Sequence, residues 1–197
     1  MKSLPTSYTA ARKWGIILLL ALASLGAALL SMSFGSTQVP FSEILTALMG
    51  GETQAYNIVV YARLPHTLAA LLCGSALAVG GVIIQGVLGN PLAGPNIIGV
   101  NAGAGLGAVL CAALIPTSMT AVPVAAFLGA LGACMLVYTL ARRTGASRIT
   151  LVLAGVAISS MLSAAIDAVS ILFPEAALGA GSFMVGRLSG VTVAALK

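Results

Sequence analysis

Long unbroken apolar runs restrict the fold of this chain more than any other feature. A helix needs about 20 apolar residues to cross a bilayer, and five segments reach that length. They comprise residues 14–34, 64–88, 95–115, 121–141 and 149–173. Charged residues make up only 7% of the 197 residues, whereas a soluble domain carries about 25%. We therefore predict an all-α protein with about five transmembrane helices and membrane lipid as its surroundings.

The basic residues lie at the ends of the apolar runs, where they act as topology signals rather than as a nucleic-acid surface. Cytoplasmic loops of membrane proteins are enriched in Lys and Arg. If the N-terminus is cytoplasmic, six basic residues face inward and two face outward. The inner set is Lys2, Arg12, Lys13, Arg142, Arg143 and Arg148, and the outer set is Arg63 and Arg187. We therefore predict that residues 1–13 are cytoplasmic and that no nucleic acid is bound.

The segments around the runs complete the predicted organisation. Residues 14–173 form the five-helix bundle, with an external loop at 35–62. In that loop a short amphipathic pattern begins after Pro40 and ends at Gly50, which predicts an interfacial helix. Residues 174–197 are predicted to form another external loop and the incomplete start of a sixth helix.

Small residues recur at every fourth position on two of the predicted spans. Such stripes let helix backbones approach closely in lipid, where no hydrophobic force drives helices together. We therefore expect the third and fourth spans to pack through these faces. The stripes are Gly99, Gly103 and Gly107 on the third span, and Ala125, Gly129 and Ala133 on the fourth.

The link between the second and third spans contains a helix break. Pro91 forces Asn90 out of helical geometry, and Pro95 suits the first turn of the next helix. Irregular backbone at membrane depth is tolerated only inside protein or beside water. Two interpretations stay open, because the link can pack against other helices or can be an ordinary tight turn at the cytoplasmic side.

The fifth span carries a polar stripe. Its members follow at steps of three, four and three residues, which places them on one face of a helix. An ionisable residue within a span is a candidate for a substrate pathway. We favour a face that lines a pathway; the alternative is interhelical serine hydrogen bonds with an interfacial carboxylate. The stripe consists of Ser160, Ser163, Asp167 and Ser170.

Motifs of nucleotide hydrolysis, metal binding and covalent catalysis are missing from the sequence. It contains no G-x-x-x-x-G-K-[ST] motif, so this chain is not expected to hydrolyse ATP itself. The cysteines, Cys73, Cys111 and Cys134, lie in or beside apolar runs without zinc-site spacing. We predict no enzyme activity, metal or cofactor.

One stretch of the sequence resembles a known family of membrane proteins. The segment R-L-P-H-T-L at 63–68 resembles the R-L-P-R-x-L signature of permease subunits of bacterial ABC importers that take up iron-siderophores, haem and cobalamin. The similarity continues in register to Gly105. It includes residues 74–78, Gln85, residues 90–93, Pro95, Gly99 and residues 103–105, with weaker matches at 153–157 and 184–190.

The resemblance implies a type II ABC-importer permease in the bacterial cytoplasmic (inner) membrane. Permeases of this family have about ten spans and work as homo- or heterodimers. Two cytoplasmic ATPase subunits drive them, and a periplasmic or lipid-anchored binding protein delivers the substrate. The substrate crosses between the two permeases, in large part along the fifth and tenth spans.

The resemblance also implies roles for individual residues. Arg63 would dock acidic residues of the binding protein, and His66 stands where the family usually has a second arginine. Ala146 and Ser147 lie in a turn that resembles the inner gate region. Asn90, Pro91 and Pro95 would shape the helix bundle.

The length of the chain departs from the family, because it stops where the sixth span should begin. We interpret it as the N-terminal half of a permease for iron-siderophore, haem or cobalamin-type chelates. Two alternatives are a non-transporting truncated permease fragment and an unrelated small secondary transporter. The second is disfavoured because Asp167 is the one intramembrane carboxylate candidate for a proton relay.

Overall fold

Helices make up the secondary structure of the part of the chain that the computed structural model describes, residues 10–35, 37–51, 53–116, 118, 120–145 and 147–188. The predicted all-α class is confirmed. The α-helices are α1 Ala10–Ser33, α2 Phe41–Leu48, α3 Leu64–Leu88, α4 Val100–Leu114, α5 Ala121–Arg143, α6 Arg148–Leu172 and α7 Pro174–Met184. A π-helical segment, Ile58–Arg63, runs directly into α3, and a 3₁₀ helix, Pro95–Ile98, precedes α4.

Four helical stretches are long and apolar enough to cross a membrane: Ala10–Ser33, Ile58–Leu88, Ala121–Arg143 and Arg148–Leu172. Their surfaces expose large apolar side chains, for example Leu19 at 65%, Phe127 at 68% and Leu153 at 64%. In water these side chains would carry a large hydrophobic penalty, whereas lipid tails solvate them. Four of the five predicted spans are therefore present as helices of sufficient length.

The third predicted span is the exception, because the structure divides it. Residues 95–98 form the 3₁₀ helix, and Gly99 then takes a left-handed conformation with φ 77° before α4 begins. The 15 residues of α4 span about 22 Å, which is less than the roughly 30 Å of a hydrocarbon core. The prediction of one continuous helix over 95–115 is wrong, because within the apolar run Gly99 takes a left-handed conformation that separates the 3₁₀ helix from α4.

Two compact units divide the chain by its internal contacts. Unit 1 comprises Met1–Gly74 and Leu188–Lys197, and unit 2 comprises Ser75–Arg187. In unit 1 the end of α1, α2 and the π-helical segment surround a small core, to which Ile44 and Val59 contribute fully buried side chains. The remaining core members are Met32, Val39, Ala47 and Ala55.

The core of unit 2 consists mainly of alanine. α4 and α5 pack as an antiparallel pair in which Gly103 meets Gly129 and Gly107 meets Ala125. A Cβ atom on Gly103 would overlap the Gly129 carbonyl oxygen, so this approach depends on the missing side chain. The predicted packing of these two stripes is confirmed, except that Gly99 ends the 3₁₀ helix instead of joining the α4 face.

The predicted loops contain more helix than the sequence indicated. α2 is the short helix expected after Pro40, and it buries Ile44 and Ala47. The predicted external loop from residue 174 begins instead with α7, because Pro174 occupies its first turn and Glu175 favours the positive helix end. Lys2 and the predicted start of the sixth helix, within 189–197, lie outside the described residues.

Candidate functional site

Arg63 joins two helices of unit 1 through backbone carbonyl groups. Its guanidinium group donates hydrogen bonds to the carbonyl oxygens of Met32 at 2.5 Å and Ser33 at 3.0 Å, and to that of Thr37. Carbonyl groups at a helix C-terminus lack partners within the helix and carry its negative partial charge. The half-buried Arg63 side chain therefore closes the end of α1 and fixes it to the start of α3.

His66 differs from Arg63 in its surroundings. Its side chain is exposed, whereas Pro65 and Thr67 on either side are buried. The Thr67 hydroxyl group lies 3.4 Å from that of Ser31 on α1. The two residues of the predicted docking pair therefore differ: the His66 imidazole is exposed, whereas the Arg63 guanidinium group contacts α1. Docking by Arg63 and His66 stays a prediction.

Replacing Arg63 by glutamine should lower the free energy of unfolding by about 1–3 kcal/mol, because carbonyl groups would lose a charged donor. Arg63→Lys should have an intermediate effect, since lysine keeps the charge and loses the forked geometry. Arg187→Gln is the matched control, because Arg187 is exposed. Denaturant titration of the purified protein in micelles measures the effect. Equal stability of the Arg63→Gln and Arg187→Gln variants would contradict the carbonyl-binding role.

The helix break at 90–95 is an ordered turn. Gly89 ends α3 with φ 58°, and the Asn90 Oδ1 atom accepts a hydrogen bond from the Leu92 amide at 2.9 Å. Pro95 then occupies the first turn of the 3₁₀ helix. The side chains of Asn90, Pro91 and Leu92 are exposed. The 3₁₀ helix that follows the turn is less exposed.

The 3₁₀ helix packs directly on α6. The carbonyl oxygen of Ile97 occupies the place where a Cβ atom of Gly155 would lie, and the Cα atom of Ile98 is 3.2 Å from that place. The two backbones therefore touch without an intervening side chain. The contact brings the segment after the helix break against the predicted fifth span, which is α6.

The predicted polar stripe lies on α6. Ser160, Ser163 and Asp167 are exposed and Ser170 is half-buried. The Ser160 hydroxyl group donates to the Val156 carbonyl oxygen at 3.0 Å. α6 buries Ala154 and Gly155, so the stripe is left uncovered by the described part of unit 2. Its role as a pathway stays a prediction.

Ser159 is a half-buried polar residue that the spacing of the predicted stripe did not include. Its hydroxyl oxygen is buried and has no hydrogen-bond partner among the described residues, and it lies 3.4 Å from the place where a Cβ of Gly99 would be. Ser159 lies four residues before Ser163, about 40° from it around the helix, so it borders the polar stripe and differs from the exposed members by its contact with Gly99. Its sequence neighbourhood carried no signal for this contact.

Ser147 begins α6. Its hydroxyl oxygen accepts a hydrogen bond from the Thr150 amide at 3.0 Å, as an N-cap residue does. Ala146, the other residue of the predicted inner gate region, lies outside the described residues. The gate role of the turn stays a prediction, and the structure supplies the local reason for a hydroxyl residue at 147.

No group of three or more His, Cys, Asp or Glu side chains in the described part of the chain is placed to hold a metal ion. The geometry thus consists of apolar helices, one uncovered polar stripe and an ordered break against α6.

Comparison with known proteins identifies the family of this chain. The sequence profile of the FecCD transport family matches residues 18–196. The chain belongs to the FecCD transport family.

Curated relatives of this FecCD family chain are permeases. The Fe(3+) dicitrate permease FecD of Escherichia coli strain K12 is 36% identical over 179 residues, which cover 90% of this chain and 55% of FecD. The ferric enterobactin permease FepD of the same strain is 39% identical over 165 residues, 82% of this chain and 48% of FepD. IsdF of Staphylococcus aureus strain MSSA476, named for heme-iron transport, is 31% identical over 152 residues, 77% of this chain and 47% of IsdF.

A solved structure shares the fold of this family member. It is described as a metal-chelate type ABC transporter in an inward-facing conformation, with a TM-score of 0.66 and 25% identity. The match covers 85% of this chain and 50% of the other. The chain thus spans about half the length of the proteins it matches. Membership in the FecCD transport family excludes the unrelated small secondary transporter.

Proposed function

We propose that the chain is the transmembrane permease component of an ATP-driven importer of iron-siderophore, haem or cobalamin-type chelates. The observation that carries the proposal is the family match over residues 18–196. Relatives named for ferric dicitrate, ferric enterobactin and heme-iron support an iron chelate as substrate. Cobalamin as a substrate is supported only by the resemblance of the 63–105 segment to the family.

The substrate crosses at the interface of two permease subunits, as a homo- or heterodimer, along the stripe on α6. Support comes from the exposed Ser160, Ser163 and Asp167 side chains, which unit 2 leaves uncovered. A polar stripe facing lipid would be unfavourable, and an ionisable residue in a span generally faces protein or a water-filled cavity. A second permease subunit that covers the stripe would meet both requirements.

Partner subunits supply ATP hydrolysis and substrate delivery. Two ABC ATPase subunits act at the cytoplasmic side, and a periplasmic or lipid-anchored binding protein docks at the corner formed by Arg63 and His66. The protein lies in the bacterial cytoplasmic membrane with its N-terminus inside. This orientation is supported by Arg142 and Arg143 in the last turn of α5 and Arg148 in the first turn of α6.

ATP-dependent uptake tests the proposal. The protein that carries this chain is purified with its second permease and ATPase subunits and reconstituted in proteoliposomes. With ATP and the binding protein present, radiolabelled iron bound to citrate or enterobactin should accumulate, and ADP should give no accumulation. Uptake without the ATPase subunits would contradict the ABC mechanism. Lack of uptake for ferric citrate, ferric enterobactin, haem and cobalamin would contradict the substrate class.

A further inference from the structure

An apolar groove of about 210 Å³ lies in unit 2 between α3, α5 and α6. Its lining includes Ile83 and Val87 from α3, Val137 and Tyr138 from α5, and Leu151 from α6. Among the described residues that line it, Tyr138 alone carries a hydroxyl group. Ile83 is 60% exposed and Val87 59% exposed, so the groove opens to the surroundings of the helices.

A guanidinium group lies at the tyrosine of this groove. The Arg142 Nη1 atom donates to the Tyr138 hydroxyl oxygen at 3.1 Å, and its Cζ atom is 5.8 Å from the centre of the Tyr138 ring. Arg142 is thus held over the same ring that lines the groove. Tyrosine is enriched at the level of lipid headgroups, where an aromatic ring has one apolar and one polar side.

A second guanidinium group lies next to the groove. Leu88 lines the groove and also an adjoining cavity of about 240 Å³. Arg148 and Asn90 line that adjoining cavity together with Val152 and Leu153. The Arg148 guanidinium packs against Gly89, at the end of α3. Arg148 therefore lines a cavity that shares Leu88 with the groove, and Arg142 contacts the groove through Tyr138.

The carboxylate groups of unit 2 lie far from Arg142 and Arg148. Asp167 lies 19 residues after Arg148 on the same helix, a distance of about 28 Å along the axis. Glu175, in the first turn of α7, lines a separate cavity with Leu172 and Phe173 at the C-terminal end of α6. Within the described part of unit 2 the arginine cluster therefore lacks an acidic counterpart, and its positive charge is complementary to an external anion.

We propose that this groove binds an anionic phospholipid, with its phosphate at Arg142 and Arg148 and an acyl chain along Ile83, Val87 and Val137. An acyl chain matches the apolar lining, and the phosphate matches the guanidinium groups, which bind phosphate oxygens through paired donors. Basic pockets between helices at a membrane surface bind such headgroups. In the proposed orientation the site faces the cytoplasmic leaflet, but binding does not depend on transport activity.

Lipid quenching of a single tryptophan tests this site. Trp14 is the one tryptophan of these 197 residues, so Trp14→Phe, with phenylalanine also at any tryptophan of the protein outside them, gives a silent background in which Ile83→Trp places a reporter in the groove. The full protein is reconstituted with phosphatidylcholine and brominated phosphatidylglycerol, then with the bromine label on phosphatidylcholine. Leu136→Trp is the control outside the groove, because Leu136 is 55% exposed and lies about 200° around α5 from Cys134 in the groove.

The groove reporter should show phosphatidylglycerol bound at least about fivefold more strongly than phosphatidylcholine, since each basic residue near a membrane surface contributes about that factor. The Leu136→Trp reporter should show no preference. Arg142→Gln with Arg148→Gln should abolish the preference, while Arg187→Gln should leave it unchanged.

Three outcomes would overturn the proposal. Equal quenching by both lipids at Ile83→Trp would exclude selective binding. A preference that survives the Arg142→Gln and Arg148→Gln changes would exclude the headgroup assignment. Absence of quenching by either lipid would show that protein, such as a second copy, covers the groove. Native mass spectrometry of the chain without the tryptophan changes gives an independent count of retained phosphatidylglycerol.

Discussion

Gly155→Val should lower the free energy of unfolding by about 3 kcal/mol, the upper part of the usual range for overpacking. A Cβ atom at this position would overlap the Ile97 carbonyl oxygen and lie 2.9 Å from the Ile97 carbonyl carbon. Both atoms are backbone, so no side-chain rotation can relieve the overlap. The 3₁₀ helix or α6 would have to move.

Denaturant titration in micelles measures this effect, with Ala157→Val as the matched control. Ala157 lies two residues later on the same helix and is exposed, so the control places the same valine side chain at an uncovered position. Its effect should stay within about 0.5 kcal/mol. If both variants were destabilised equally, the loss would come from valine in the helix and the backbone contact would not be responsible.

Ser163→Trp should reduce ATP-driven uptake roughly tenfold or more, equivalent to at least about 1.4 kcal/mol on the transport barrier. Under the proposed function, a large ring on the stripe would narrow the space between two permease subunits. Folding should be unaffected, because Ser163 is exposed. Uptake of radiolabelled ferric citrate in proteoliposomes, together with the unfolding curve, separates these two effects.

Ala168→Trp is the control for this prediction. Ala168 is also exposed and also changes from a small side chain to tryptophan, but it lies about 140° around the helix from Ser163. Its uptake should remain near that of the unaltered protein. Equal loss in both variants would argue against a pathway confined to the stripe, and equal retention would remove Ser163 from it.

The long helices could be predicted because their composition is set by lipid. A helix that crosses lipid needs about 20 apolar residues, and this need is visible in the sequence as an apolar run. Such runs mark α1, α3, α5 and α6. The left-handed conformation of Gly99 could not be predicted in this way, since Ile97, Ile98 and Val100 are as apolar as the residues of α4. The sequence therefore predicted a continuous span where the backbone is divided.

The candidate site was predictable only where it depends on spacing along one helix. Ser160, Ser163 and Asp167 share a face because of helical periodicity alone. Arg63 has its carbonyl partners about 30 residues earlier in the chain, and such an approach depends on tertiary packing. The buried Ser159 hydroxyl group likewise depends on the position of Gly99.

The contact between Ile97 and Gly155 also restricts how this part of the protein can move. Side chains at a helix interface can change rotamer and let two helices slide, but this interface is made of backbone on both sides. The 3₁₀ helix Pro95–Ile98 and the middle of α6 should therefore shift together as one rigid body. Bending is then left to the glycines with positive φ that flank the helix break, Gly89 and Gly99. A conformational cycle that moves α6 would carry the break with it and concentrate the change in backbone torsion at those two residues.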